Sequence, residues 1–267
     1  MRSPALLLIA LATGSLATAE PAWQKDLTSP APGDHPPLAP CLLDFQVTWN
    51  GILDSGKLRM EFTGRDPKNP AAYVVRSSAV STGLAAGIFP YQSNFWSELD
   101  PTSFKPLVFN ATETDHEETA TSNTRHFADR VEFQKTTKSL TTGTVTQKDH
   151  SFKFSPVFDI FSAMLHVRSQ KLADGDSITL VVDPFGTPYL LQANVRAHEL
   201  HLDRKTIRLS VGMRKIDRIT LKLLPYKKLK KDATLWLSDD AERIPVELRA
   251  AVFIGDIRAT LTDRQKL

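Results

Sequence analysis

The stretch from Thr234 to Ala250 constrains the fold more than any other part of the chain. Leu235 and Leu237 alternate with Trp236 and Ser238, and Asp239-Asp240 breaks the run. Ile244, Val246, Leu248 and Ala250 then share one face, with Pro245, Glu247 and Arg249 on the other. Successive strand side chains point to opposite faces, so a period of two on both sides of a polar break specifies an antiparallel hairpin with one buried face. Asp239 and Asp240 are expected in its turn, with Trp236 and Arg243 as structural residues flanking it.

The same period recurs along the chain. Cys41, Leu43, Phe45, Val47 and Trp49 alternate with polar residues, Asn50-Gly51 has turn chemistry, and Leu58, Met60 and Phe62 follow with the same period. Further short strands are expected at 73–81, 95–99, 106–111, 126–134 and 144–148, then at 177–182, 189–202, 206–211 and 218–224. Ile257, Ala259 and Leu261 mark the last strand, while residues 112–123 are polar and show no core pattern. Regular short spacing predicts one mainly antiparallel, all-β domain over residues 41–267.

One segment breaks this rhythm. Ser155 is a candidate N-cap with Pro156 at the first helical position and Asp159 in the first turn, and Phe158, Phe161, Met164 and Leu165 repeat at helical spacing. His166 and Arg168 suit the negative end of the helix dipole, and Gly175 closes the connection. The main helix is therefore expected between Ser155 and Ser169. A strongly curved sheet with one such helix either closes into a barrel or curls over the helix as a half-open barrel that keeps a hollow.

At the start, Arg2, the apolar run from Ala5 to Ala12 and Ala17-Thr18-Ala19 read as a secretory signal over residues 1–19, cleaved before Glu20. The expected location is periplasmic or secreted. The apolar run is shorter than the roughly 20 residues of a bilayer span, and no comparable run follows, so the mature chain is expected to have no transmembrane segment. Prolines at 21, 30, 32, 36, 37 and 40 suggest a flexible leader over residues 20–40. With 33 Lys and Arg against 30 Asp and Glu, the charge carries no footprint of a nucleic-acid partner, and Lys227-Lys228-Leu229-Lys230-Lys231 reads as a solvated turn. Cys41 is the only cysteine, so an internal disulfide is excluded, and its place in an apolar alternation suggests a buried, inert thiol.

Trp236-Leu-Ser-Asp-Asp240 followed by Arg243-Ile-Pro-Val246 resembles the C-terminal signature of a family of secreted bacterial proteins, domain of unknown function 3108. Phe45, Val47, Trp49, Gly51 and Gly56 resemble its opening motif. Asp100-Pro101-Thr102 before Phe104-Lys105-Pro106-Leu107 is similar to one of its turns. Asp159, Ser162, Ala163, Leu165 and Arg168 match its Asp-x-x-Ser-Ala-x-x-x-x-Arg pattern loosely, continued by Leu172 and Gly175-Asp176. The resemblance spans about Leu43 to Asp263 and implies a fold and an exported address, with no activity attached.

Residues that carry chemistry elsewhere are poorly placed for it here. His198-Glu199-Leu200-His201 lacks the four-residue histidine spacing of a helical zinc site, and on a strand the two histidines face opposite ways, so no metal is expected. Asp239-Asp240 offers adjacent acids, which rarely converge on one bond. Glu113, Asp115, His116, Glu117 and Glu118 lack the oxygen spacing of a calcium loop. Asp159 and Arg168 suit the rim of a core helix better than a ligand clamp. Asn110-Ala111-Thr112 is an accidental glycosylation pattern. No nucleophile elbow, phosphate loop or Cys-x-x-Cys occurs, so neither a catalytic set nor a cofactor is expected.

The expectation is a non-catalytic envelope protein that binds a lipid-like amphiphile or a glycan in a sheet cavity, between the concave face and the Phe158–Arg168 helix. Trp49, Trp96, Phe89, Phe95 and the helix aromatics Phe158 and Phe161 are the candidate lining. A polysaccharide-acting enzyme whose acids meet only in the fold, and a structural partner of an envelope complex docking through the leader or an edge strand, stand as alternatives.

Overall fold

A computed structural model describes residues 20–66, 69–226, 230–252 and 255–267; the expected signal segment lies outside these residues, as do Lys227, Lys228 and Leu229 of the lysine cluster. Among the described residues, fifteen antiparallel strands form one sheet. The first eight are β1 (Cys41–Trp49), β2 (Leu53–Asp66), β3 (Asn69–Ser81), β4 (Gln92–Leu99), β5 (Pro106–Thr114), β6 (Glu118–His126), β7 (Val131–Ser139) and β8 (Val145–Phe152). A short helix α1 (Gly83–Ile88) sits between β3 and β4, and the main helix α2 (Ile160–Ser169) follows β8. Then come β9 (Ser177–Val182), β10 (Tyr189–His201), β11 (Arg204–Ile216), β12 (Leu223–Pro225), β13 (Ala233–Ser238), β14 (Pro245–Val252) and β15 (Gly255–Lys266).

The sheet runs from β8 back to β1, crosses to β15, and continues through β14, β13, β11 and β10 to β9, with β12 paired on β11. The first and last strands therefore pair in the middle, Phe45 opposite Leu261 and Val47 opposite Ala259. The two free edges, β8 and β9, belong to consecutive strands joined through α2. The sheet curls to bring them together, and Phe152 of β8 and Val131 of β7 pack in one buried cluster with Val181, Leu190 and Ile216 from the far end. Residues before α2 fill the seam, since Phe158 N–H donates to Val181 and Asp183 N–H donates to Phe158. The result is the half-open, barrel-like sheet with one main helix that the alternation implied.

Four elements differ from expectation. The Ser155–Pro156 bond is cis and the chain stays extended through Phe158, so the helix starts at Ile160 with Asp159 as N-cap. The expected 126–134 strand is two strands with a turn between them, and residues 112–123 form the end of β5 and most of β6. Small polar inward residues, Ser122 and Thr124 beside Ala120, hide the period there. The expected 218–224 strand is mostly a turn in which Asp217 accepts N–H bonds from Ile219 and Thr220, leaving only three-residue β12. Finally, the Pro-rich segment lies along the domain instead of standing free. Trp23 is buried and donates to the Leu221 carbonyl at 2.9 Å, Thr28 pairs with Thr179 on the β9 edge, and Leu38 enters the core. Prolines preset such a strap in an extended form that costs little further order on docking, and Gly33 permits its approach to α2, because a Cβ there would strike the Ser169 carbonyl.

Candidate functional site

Helix α2 divides the interior. Phe161 and Leu165 enter a cluster with Leu43, Phe62, Leu99 and Phe109 from the first strands, whereas Ala163 and Val167 join Phe158, Leu180, Val195, Ile207 and Leu209 on the other side. Between the two clusters the helix presents Ile160, Ala163, Met164 and Val167, spaced i, i+3, i+4, i+7 as one stripe of a 3.6-residue period. This stripe faces a cavity of about 300 Å³. Phe45, Leu58 and Met60 form one wall, Leu235, Leu237, Pro245, Leu248 and Ala259 a second, and Leu191, Ala193, Val211 and Met213 a third, with Val182 and Pro184 beside the helix. All eighteen lining residues are apolar. Of the four methionines in the chain, the three after Met1 all line it. Unbranched, polarizable thioethers fill irregular space and adapt to varied apolar partners.

The cavity has one loose end. Inward residues of β1 go from fully buried Cys41 and Leu43 to half-buried Val47, and those of β11 from Ile207 and Leu209 to half-buried Val211 and Met213. On β14 the change is steepest, from buried Pro245 to Leu248 at 41% exposed. The pairing of Leu235 with Leu248, and of Val47 with Gly56 and Ala259, puts these ends at one rim.

The two termini of α2 are held by polar groups that the sequence singled out. Asp159 is fully buried; its Oδ1 accepts N–H bonds from Phe161 and Ser162, Ser97 donates to Oδ2 at 2.5 Å, and the Ser162 hydroxyl completes a capping box. Burial pushes its pKa up, opposed by those hydrogen bonds. Arg168 is buried too, donating to the carbonyls of Pro36 and Glu242, and burial brings its pKa down to about 10. Arg243, at positive φ in the β13–β14 turn, donates to the carbonyls of Arg168 and Gln170 at the end of α2. Asp240 holds that turn by accepting from Ser238 and from the Glu242 and Arg243 N–H groups. The Asp-x-x-Ser-Ala and Ser-Asp-Asp patterns thus serve as architecture at the two ends of the helix.

The remaining candidates separate. His198 bonds Asp239 at 3.0 Å and the Leu172 carbonyl at 2.8 Å, contacts that raise its pKa, while His201 faces the other way, bonding Glu247 at 2.8 Å and stacking on Trp236. Trp236 donates to Glu199, and Arg249 lies over its ring and pairs with Glu247, so each of these outer-face carboxylates is occupied. Asp115 accepts N–H bonds from Glu117 and Glu118 in an exposed turn, and Asn110 bonds Asn123. Burial raises the thiol pKa of Cys41. Of the nominated lining, Phe95 packs in the first cluster, Phe89 is exposed, and Trp96 pairs with Arg76 and Asn110 on the outer face. Trp49 lies at the end of β1, outside the cavity wall. Sequence reasoning missed the true lining, although the 160/163/164/167 stripe and the placement of every later methionine on an inward-facing position were available signals.

A family model described as "Protein of unknown function (DUF3108)" matches residues 44–262. The chain belongs to the DUF3108 family. Among solved structures, it is similar to a beta-barrel-like protein of domain of unknown function DUF1849 from Brucella abortus, at 10% identity and a TM-score of 0.54, over 87% of this chain and 99% of that one. That likeness concerns the fold alone. No curated protein matches the chain. In this DUF3108 protein the Asp159–Arg168 and Ser238–Arg243 motifs hold the two ends of α2, and the apolar cavity takes none of their polar groups.

Proposed function

We propose that this DUF3108 protein holds the apolar chain of an amphiphile in the cavity between α2 and the concave sheet, and does not convert it chemically. The observation that carries the reading is the uniformly apolar, methionine-bearing lining beside half-buried strand ends. Its volume stands at the lower end of small-molecule sites, roughly 300–1,000 Å³, so it suits one chain with the polar head left at the rim. A glycan would need convergent donors and acceptors, and the lining supplies none. For the enzyme alternative, the polar depression beside Trp96 contains one carboxylate, Glu61, where hydrolysis of a glycoside needs two. Docking through the leader is disfavoured because that segment already binds its own domain. The Arg2 and Ala5–Ala19 pattern supports an exported, envelope location for this role.

Native mass spectrometry of protein purified from its natural compartment tests the reading. A mass increment that extracts as a lipid-like amphiphile is expected, and N-terminal sequencing of the same sample should begin at Glu20. A protein of unligated mass that also fails to take up a fluorescent fatty acid would remove the reading.

A further inference from the structure

The rim of the open end carries apolar side chains that stay exposed among the described residues. Ile52, in the β1–β2 turn, is 89% exposed; Leu84 and Ile88 of α1 are 72% and 63% exposed, and Phe89 and Tyr91 follow at 54% and 38%. α1 buries none of its side chains. No charged residue occurs from Ser77 to Ser97, in a chain where 24% of residues are charged. The two segments are adjacent, because Thr82 N–H donates to the Ser55 carbonyl at 3.0 Å and Ser81 pairs with Gly56. Gly56 in turn pairs with Val47, the half-buried inward residue next to Phe45 of the cavity wall. The exposed group therefore stands at the same end of the sheet as the cavity's loose rim.

We propose that Ile52, Leu84, Ile88, Phe89 and Tyr91 form a collar that inserts into the surface of a lipid bilayer, placing the cavity mouth against it. The proposal rests on the reading of the cavity as a site for an apolar chain, since a bilayer is where such a chain must be collected or delivered. Aliphatic and Phe side chains favour the acyl boundary, and Tyr91, whose hydroxyl donates to Glu113 at 2.7 Å, suits the headgroup level. With no Lys or Arg in the run, attachment comes from apolar burial. It should therefore respond weakly to anionic lipid and to salt, unlike a polybasic patch.

Flotation with phosphatidylcholine vesicles tests this on the whole chain, with fluorescent fatty acid titration in vesicle-free buffer as a separate readout. Wild type should float equally in low and high salt. Leu84→Asp with Ile88→Asp should weaken flotation at least about tenfold while leaving probe binding unchanged. Ile52→Asp, on the other segment, should weaken it to a lesser degree and gives an independent test should the α1 variant misfold. Ala163→Trp, which fills the cavity, should abolish probe binding and leave flotation intact. Wild type that binds the probe but never floats would overturn the collar while sparing the cavity reading. Wild type that floats without binding the probe would do the reverse. Flotation that requires anionic lipid, or collar variants that change only self-association in sedimentation, would also overturn the collar.

Discussion

The two ends of this half-open barrel are built from the same strands and differ in almost everything else. At one end Arg168, Arg243 and Asp240 spend their polar atoms mainly on backbone groups, and the Pro-rich strap reaches Arg168 through the Pro36 carbonyl. At the other, inward rows run out into half-exposed Leu248, Met213 and Val211 with no polar partner. Charged motif residues here do the work of holding a helix in a curled sheet. The residues best suited to meet a ligand are unremarkable in composition and informative only in placement.

Breaking the buried N-cap of α2 should have the largest effect. Asp159→Leu leaves the N–H groups of Phe161 and Ser162 and the Ser97 hydroxyl without an acceptor in a buried site. At about 1–3 kcal/mol for each unsatisfied group, the expected loss is roughly 3–9 kcal/mol, read from urea denaturation midpoints. A loss below about 1 kcal/mol would mean that water reaches the cap in place of the carboxylate.

Asp183 sharpens the comparison through pH. It sits at the seam, buried after β9, where Gly186 and Thr187 N–H groups bond its carboxyl but Oδ1 has no partner among the described residues. Burial raises its pKa from the ordinary carboxylate range to about 7. Its folded pKa exceeds the unfolded one, so the neutral form favours the fold. That contribution is complete below about pH 4 and lost as pH rises through about 7, with an upper bound of ~4 kcal/mol. Asp183→Asn should flatten the stability profile between those limits; an unchanged profile would remove Asp183 as its cause.

A smaller effect is expected in the β13–β14 turn. Asp240→Ala removes the acceptor for two N–H groups and a hydroxyl at a partly solvated site, and should lower stability by about 1 kcal/mol, as for loss of a cap. If a stable Asp240→Ala variant instead lost fatty acid binding, the turn would belong to the site and not to its scaffold.

Much of the fold was legible in the chain. Alternation from Leu235 to Ala250 and from Cys41 to Phe62 announced the central strands β1, β2, β13 and β14, because most large apolar residues there face one side. β6 was not legible because a curved interior next to α2 accepts Ala120, Ser122 and Thr124. The helix start was misplaced because Ser155-Pro156 imitates a cap, while the true cap is Asp159, whose hydrogen bonds reach Ser97 of β4. The cavity was anticipated in position between sheet and helix, but its lining was assigned to aromatics. Trp96 is turned outward by strand parity, a feature that follows from Phe95 facing in, whereas which inward rows stay unfilled depends on long-range packing that local spacing does not encode.

The open end should tolerate what the buried N-cap cannot. Met213→Trp adds bulk beside empty apolar space, so its denaturation midpoint should match wild type to within ~1 kcal/mol. Fluorescent fatty acid titration of wild type and Met213→Trp, at equal stability, tests the central claim most directly. Saturable one-to-one binding by wild type, weakened at least about tenfold in the variant, is the expected result. Equal binding by both proteins, or none by wild type, would contradict it.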